Sequence, residues 1–186
     1  MQDSINLTNH FLIAMPNLAD PNFHRSVTYI CQHDDQGAVG LILNRATDMG
    51  LQELLQQLDI EPRPQLPNTA IMYGGPVDTY SGFILHRPRG NWSNTLAVTE
   101  QIGLTTSRDV LDAIAIGTGP ADSIVALGYA GWAGGQLENE LLNNAWLTLP
   151  ADADMLFKTP PQQLWQAAAN ALGIDITQLS GDAGHA

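Results

Sequence analysis

The first residues that could carry chemistry are a cysteine and a histidine two positions apart. Cys31 and His33 end a run of β-branched and aromatic residues that predicts a strand over 26–33. Because alternate residues of a strand point to the same side, the imidazole could lower the pKa of the thiol and make it a nucleophile or a redox group. His24 and Arg25 would strengthen that effect if they lie nearby. The alternative is a buried cysteine that packs as a small apolar residue.

The second segment combines glycines with a histidine and an arginine. Gly74 and Gly75 precede a proline, and His86 and Arg87 follow in the next strand-like run. Paired glycines allow a positive φ and let a backbone N–H approach a ligand closely. His86 would then supply a proton and Arg87 would clamp an anion. The alternative is a tight turn between two strands, with His86 half-buried.

The third segment is glycine-rich and runs from Gly128 to Glu138. We interpret it as a strand, a loop and a helix start, an arrangement that binds phosphates through free N–H groups. Its spacing matches neither the dinucleotide-binding nor the Walker pattern, so the indication of a nucleotide site is weak. Glu138 and Glu140 stabilise the helix dipole. They are two residues apart on a helix and therefore do not face each other as an acid/base pair.

The charge balance excludes broad classes of partner. Nineteen acidic residues face seven basic ones, which gives a net charge of −12, and only 14% of the 186 residues are charged. A surface for duplex nucleic acid needs several lysines or arginines, so direct nucleic-acid binding is not expected. A small arginine cluster would suit one small anion; its members would be Arg25, Arg45, Arg87 and Arg89.

Cysteine content and apolar runs indicate the compartment. Cys31 is the one cysteine, which excludes an internal disulfide. No basic region precedes the apolar run 11–15, and the stretch 124–135 is too short and glycine-rich to span a bilayer. We therefore expect a cytosolic protein with no membrane association. Four ligands at zinc-finger spacing are absent, so we expect no metal site, and no cofactor is predicted.

Hydrophobic periodicity and turn signals predict a mixture of strands and helices. Strands are expected at 11–15, 26–33, 38–43, 70–73, 82–86, 95–98 and 124–127. Helices are expected at 51–58, 106–117, 136–144 and 159–173. Thr47 or Asp48 would cap the first helix. The early hairpin without a crossover favours a mixed sheet over a doubly wound one. The chain 1–186 is long enough for one domain, or for one domain with a small satellite.

The same segments form motifs across residues 5 to 175. They include Phe11-Leu12-Ile13-Ala14-Met15-Pro16, Arg25-Ser26-Val27, Cys31-x-His33, Tyr73-Gly74-Gly75-Pro76-Val77, Gly82-Phe83-x-Leu85-His86, Gly128-Tyr129-Ala130-Gly131-Trp132 and Gly135-Gln136-Leu137-Glu138. Together they resemble the AlgH/YqgE family of bacterial cytosolic proteins, named for a proposed role in transcriptional regulation. The resemblance implies a compact α+β fold: a strongly curved mixed sheet or partial barrel with flanking helices. It implies no established cofactor and no agreed catalytic residues.

Two main functions stay open at this point. The first is a non-enzymatic regulatory or binding protein that affects transcription indirectly, through a protein partner or a small anionic ligand. Its predicted ligand-binding residues are His24, Arg25, His33, Asn44, Gly74, Gly75, His86, Gly131 and Trp132. The alternative is a thiol-dependent enzyme or redox-responsive protein that uses Cys31 with a nearby histidine (His33, His24 or His86); a metal-dependent hydrolase is a third hypothesis. In each case we expect the three segments to line a common hollow.

Overall fold

Ten strands and five helices make up the described part of the chain. The computed structural model describes residues 5–175 and residue 178. The strands are β1 (His10–Ala14), β2 (Val27–Asp34), β3 (Gly37–Ile42), β4 (Ala46–Gly50), β5 (Ala70–Tyr73), β6 (Val77–Arg87), β7 (Thr95–Ala97), β8 (Gly103–Thr105), β9 (Asp122–Ala133) and β10 (Trp146–Pro150). The helices are α1 (Leu51–Gln57), α2 (Arg108–Ile116), α3 (Gln136–Leu142), α4 (Ala153–Lys158) and α5 (Pro161–Ala171).

The strands join in a curled sheet that closes about half of a barrel. Its order is β10-β1-β2-β3-β9-β6-β8-β7, and β4 joins it through β5. Neighbouring strands are antiparallel except β5 and β9, which run parallel where Met72 and Tyr73 pair with Ala126 and Leu127. The sheet is therefore mixed and curved, with helices on its faces, which confirms the predicted α+β fold class.

The long strand β9 organises the sheet because it changes partner along its length. One edge pairs with β6 from 122 to 129. The other edge pairs with β5 at 126–127 and then with β3 at 130–133. Gly74, which directly follows β5, links that strand to β9 and β3. Its N–H donates to the Leu127 carbonyl of β9 at 2.9 Å, and its carbonyl accepts from the Ile42 N–H of β3 at 2.8 Å.

The place where β3 and β5 both approach β9, called the crossing below, leaves no room for side chains. Gly75 has a φ of +154°, and a Cβ there would overlap the carbonyl group of Tyr129. A Cβ on Gly74 would overlap the carbonyl oxygen of Gly128, which itself has a φ of +76°. Only glycine adopts such backbone conformations without strain at this close approach. The paired glycines therefore serve strand packing in this fold.

Alternate residues of each strand point to opposite faces of the sheet, so the core consists of separate clusters on the two faces. On β6 and β9, Leu85 and Ala126 belong to a cluster with the residues of α4 and α5, while Ile84 and Val125 belong to a cluster with α1 and α2. On β1 the alternate residue Leu12 lies in a third cluster, which includes Leu137 of α3. Among the described residues, no helix has the length and apolar character needed to cross a membrane.

Several predicted boundaries are wrong for identifiable reasons. Thr47 and Asp48 do not cap α1, because they lie within β4; Gly50 is the N-cap, and its N–H donates to the Glu53 carboxylate at 2.5 Å. Ser107 rather than Thr106 precedes α2. The predicted glycine-rich loop after 127 is mostly strand, since β9 continues to Ala133. The sequence pattern did not indicate β4, β8, β10 or α4.

Substitution of Gly75 tests the crossing. Gly75→Ala should lower the free energy of unfolding by about 2 kcal/mol or more, because alanine would be strained at this φ and would overlap β9. The matched control is Gly82→Ala on β6, where a Cβ would meet nothing within 4 Å and the change should stay within about 0.5 kcal/mol. Urea unfolding followed by circular dichroism measures both. Equal effects at the two positions would contradict the role given to the crossing.

Candidate functional site

A β-bulge separates the cysteine from the histidine with which it was expected to act. The β2–β3 register shifts between Ile30 and Gln32, so Cys31 is an inserted residue and the alternation of faces restarts after it. Cys31 lies in the cluster under α4 and α5, 1% exposed, with its Sγ 3.8 Å from the Tyr29 carbonyl oxygen. Burial raises the pKa of this thiol to about 12. Among the described residues, no histidine hydrogen-bonds the Cys31 thiol.

His33 instead joins the first and third motif segments on the opposite face. Its Nδ1 accepts the Leu7 N–H at 3.0 Å, so the proton is on Nε2, which donates to a Glu138 carboxylate oxygen at 2.7 Å. Hydrogen bonds from the Glu138 backbone N–H and from His33 hold the pKa of this carboxyl below its ordinary value, against the opposing effect of partial burial. This arrangement fixes α3 to β2.

Three aromatic residues pack beside that pair around a second carboxylate. One oxygen of Glu140 accepts the indole N–H of Trp132 at 2.9 Å and that of Trp146 at 2.8 Å. Phe23 packs on both indoles, with ring centroids 6.0 and 5.5 Å away. Gly131, next to Trp132, is on the exposed side of β9. The carboxylate thus satisfies two buried indole donors and orders the aromatic group.

The loop that carries Phe23 is held by two residues of the β3–β4 connection. Asn44 accepts the Val27 N–H and donates to the Arg25 carbonyl, both at 2.9 Å. Arg45 donates to three loop carbonyls, those of Pro21, Asn22 and His24, at 2.7, 2.5 and 2.6 Å. The guanidinium therefore shapes the loop through its carbonyl groups.

The loop itself presents two predicted ligand residues on the surface. The side chains of His24 and Arg25 are exposed. The Arg25 guanidinium lies 5.3 Å from the ring centre of Trp165 of α5, and His24 Nδ1 lies 3.1 Å from the Leu18 carbonyl oxygen.

His86 lies near the other end of β9. It is fully buried and pairs with Ser123, nine residues before Trp132, which is up to about 30 Å along a strand. Its Nδ1 donates to the Pro88 carbonyl at 3.0 Å, and its Nε2 accepts from the Thr105 hydroxyl at 2.6 Å. Burial lowers the pKa of this imidazole.

The predicted common hollow is not formed. The structure brings the first and third segments together through His33 and Glu138, but it buries Cys31 on the other face and places His86 at a distance. Two arginines of the possible anion-binding cluster have other partners: Arg87 pairs with Asp122 at 2.7 Å, and Arg89 donates to the Thr99 carbonyl. Ligand binding by the predicted residues stays a prediction.

A different hollow, the inner cleft, lies between the sheet and the two C-terminal helices. It has a volume of about 330 Å³, within the range of about 300–1,000 Å³ usual for small-molecule sites. Its wall is formed by Leu43, Ala46, Leu51, Thr69, Ala70, Met72, Ser123, Ile124, Val125, Leu156, Phe157, Thr159, Pro161, Gln162 and Leu164. The lining is mainly aliphatic, with hydroxyl and amide groups at a few points.

The inner cleft exists because β5 pairs with only a short part of β9. That pairing covers 126–127, so in the described chain residues 123–125 pair with β6 on one edge only. Residues 123–125 line the cleft, and their second edge opens onto it. Helices α4 and α5 form the roof, through Leu156 and Leu164.

A second, more polar hollow adjoins the inner cleft. This outer hollow of about 470 Å³ shares the walls formed by Leu51, Thr69, Ser123 and Phe157 with the inner cleft. Its remaining lining residues are Arg63, Leu66, Pro67, Ile114, Gly117, Gly119, Pro120, Ala121 and Asp122. The two hollows therefore adjoin at Phe157, and Arg63 belongs to the wall of the outer one.

Neither hollow was predicted from the sequence. Their walls come from segments far apart in the chain, and most of the residues are ordinary aliphatics. The one available signal was Arg63 between Pro62 and Pro64, in a segment for which neither a strand nor a helix was predicted. Within the described residues, no three histidine, cysteine or acidic side chains are grouped in a way that could hold a metal ion.

Comparison with known proteins places the chain in a family. An AlgH-like family model matches residues 11–177. A UPF0301 protein of Thioalkalivibrio sulfidiphilus is 55% identical over the full length of both chains, and one of Nitrosospira multiformis is 52% identical over 98% of this chain and 99% of its own.

Solved structures agree with that assignment. The solution structure of AlgH from Pseudomonas aeruginosa has a TM-score of 0.81 at 48% identity and covers 100% of this chain and 99% of its own. A Corynebacterium diphtheriae protein has a TM-score of 0.75 at 20% identity, with 97% and 94% coverage, and shows the fold alone. The chain therefore belongs to the AlgH-like family, which its sequence motifs resemble.

Proposed function

We propose that the protein is a non-catalytic binding protein with a regulatory role, and that its ligand lies in the inner cleft. The observation that carries the proposal is the cleft itself: an apolar hollow between β9 and the helices α4 and α5, with one edge of a strand open to it. Apolar walls with a few polar groups are typical of small-molecule sites.

The state of the reactive side chains supports binding over catalysis. Cys31 is buried with a raised pKa, and both ring nitrogens of His33 and His86 are engaged in hydrogen bonds. A nucleophile needs a base within hydrogen-bond reach, and an exposed thiolate is the reactive form of cysteine. The net charge of −12 also favours a regulatory effect through a ligand or protein partner rather than direct contact with nucleic acid.

A ligand in the inner cleft would contact elements that reach the surface. It would touch Leu164 of α5, the helix whose Trp165 stacks on exposed Arg25 and donates to the Ala14 carbonyl at 3.1 Å. Occupancy of the inner cleft would thereby hold α5 against the sheet and stabilise the surface next to Arg25. A protein partner that binds this surface would distinguish the occupied from the empty form.

Filling the inner cleft tests the proposal. N-phenyl-1-naphthylamine, an uncharged apolar fluorophore, should bind and become brighter, because the lining is mainly aliphatic. Ala70→Phe should weaken its binding at least tenfold, since Ala70 shares a strand face with Met72 and its side chain points into the cleft. Fluorescence titration gives the Kd.

The matched control for this titration is Ala97→Phe, at an exposed strand position that lines neither hollow. It should leave the Kd of the fluorophore unchanged. Thermal unfolding of each variant verifies that it is folded. An unchanged Kd in folded Ala70→Phe would contradict binding in the inner cleft.

Alkylation of Cys31 distinguishes the binding function from the thiol-enzyme alternative. Because burial raises the pKa of the Cys31 thiol to about 12, this thiol should resist iodoacetamide from pH 7 to 10 in the folded protein. In urea the thiol should react with a midpoint near the ordinary pKa of about 8.5. Mass spectrometry quantifies the modified fraction. A folded thiol that reacts with a midpoint at or below 8.5 would favour the alternative over the binding function.

A further inference from the structure

One basic side chain has no partner within the described part of the chain. Arg63 has no hydrogen bond, ion pair or ring contact from its guanidinium to any described residue. Each of the other six basic side chains has one: Arg25 with Trp165, Arg45 with loop carbonyls, Arg87 with Asp122, Arg89 with Thr99, Arg108 with Asp112 and Lys158 with Asp154. What distinguishes Arg63 from these six is that none of its guanidinium donors is engaged by a described residue, and its position explains what they could bind.

That position is fixed by the backbone. Pro62 and Pro64 restrict the chain on both sides of Arg63. The Arg63 N–H donates to the Ala115 carbonyl at 2.8 Å, and the Arg63 carbonyl accepts from the Leu66 N–H at 3.1 Å. The guanidinium lies against Gly117, where any Cβ would overlap it. It therefore stands at the wall of the outer hollow.

Capping of α2 does not account for this guanidinium. The carbonyls of the last turn already have backbone donors: Ala113 from Thr118 at 2.9 Å, Ile114 from Gly117 at 3.2 Å and Ala115 from Arg63 itself. The Arg63 side chain is exposed, so its N–H donors meet solvent and stay available to a ligand in the outer hollow.

We infer that the ligand of the two hollows is a single-chain amphiphile, with an anionic carboxylate head at Arg63 and an apolar tail in the inner cleft. This inference rests on the proposed function, because the tail occupies the same cleft. The tail would pass between Leu51 and Phe157, which line both hollows. Arginine binds a carboxylate through two parallel hydrogen bonds.

The surrounding charges favour a singly charged head group. Asp122 also lines the outer hollow, and although Arg87 holds it at 2.7 and 2.9 Å, its carboxylate adds negative charge to the hollow. A doubly charged phosphate would be opposed by this carboxylate more strongly than a carboxylate head would. A free carboxylic acid with an unbranched alkyl chain combines the required charge, shape and apolar length.

Two probes of equal chain length separate the head from the tail. Decanoate and 1-decanol, each below the concentration at which it aggregates, are titrated against the bound fluorophore N-phenyl-1-naphthylamine. Decanoate should displace it with an apparent Kd about tenfold lower than that of decanol. Arg63→Gln should abolish this difference and leave the decanol Kd unchanged, while Arg63→Lys should keep part of it.

The matched control is Arg108→Gln, which removes one exposed positive charge that is paired with Asp112 and lines neither hollow. It should preserve the tenfold preference for decanoate. Equal affinities for decanoate and decanol in the wild type, or a preference that survives in folded Arg63→Gln, would overturn the inference. Binding to anionic phospholipid vesicles without binding to free decanoate would overturn it too.

The design separates the two proposals. Failure of the fluorophore to bind, or its indifference to Ala70→Phe, would remove the inner cleft and with it the proposed function. Binding of both the fluorophore and decanol, without preference for the carboxylate, would remove only the assignment of Arg63 and of the ligand class.

Discussion

The close approach of backbones around Gly74, Gly75 and Gly128 is the constraint on which the rest of the structure depends. It lets one edge of β9 pair with a parallel strand and, three residues later, with an antiparallel one. A side chain at this point would force the strands apart, and β3 and β5 could not both reach β9. The long strand then curls, and different helices pack against the two halves of the sheet.

The same geometry produces the candidate site. Because β5 pairs with β9 only from Met72 and Ala126 onwards, one edge of residues 123–125 opens towards α4 and α5 instead of being buried in the sheet. The helices cover this opening without filling it. Polar chemistry is concentrated elsewhere, in His33 with Glu138 and in the indoles with Glu140, where it fixes elements to one another. The fold thus separates groups that hold the structure from a hollow that is free to take a ligand.

Much of the fold could be predicted from local pattern, and little of the site could. The strand 70–73 was predicted with its observed bounds, and Gly117 ends α2 in a left-handed conformation as expected. The extension of β9 was missed because glycines usually mark loops, whereas here they relieve a crossing that no local pattern reveals. The pairing of Cys31 with His33 failed because one inserted residue shifted the alternation of faces. The hollows depend on how distant segments pack, which periodicity does not encode.

The pairing of the first strand has a consequence for synthesis on the ribosome. β1 is flanked by β2 on one side and by β10 on the other, where His10 pairs with Pro150 and Ala14 with Trp146. Trp165 of α5 then donates to the Ala14 carbonyl. One edge of β1 therefore has no partner until residues 146–150 have been synthesised. Pairing between segments this far apart in sequence slows folding, because the long connecting segment must close before these contacts can form.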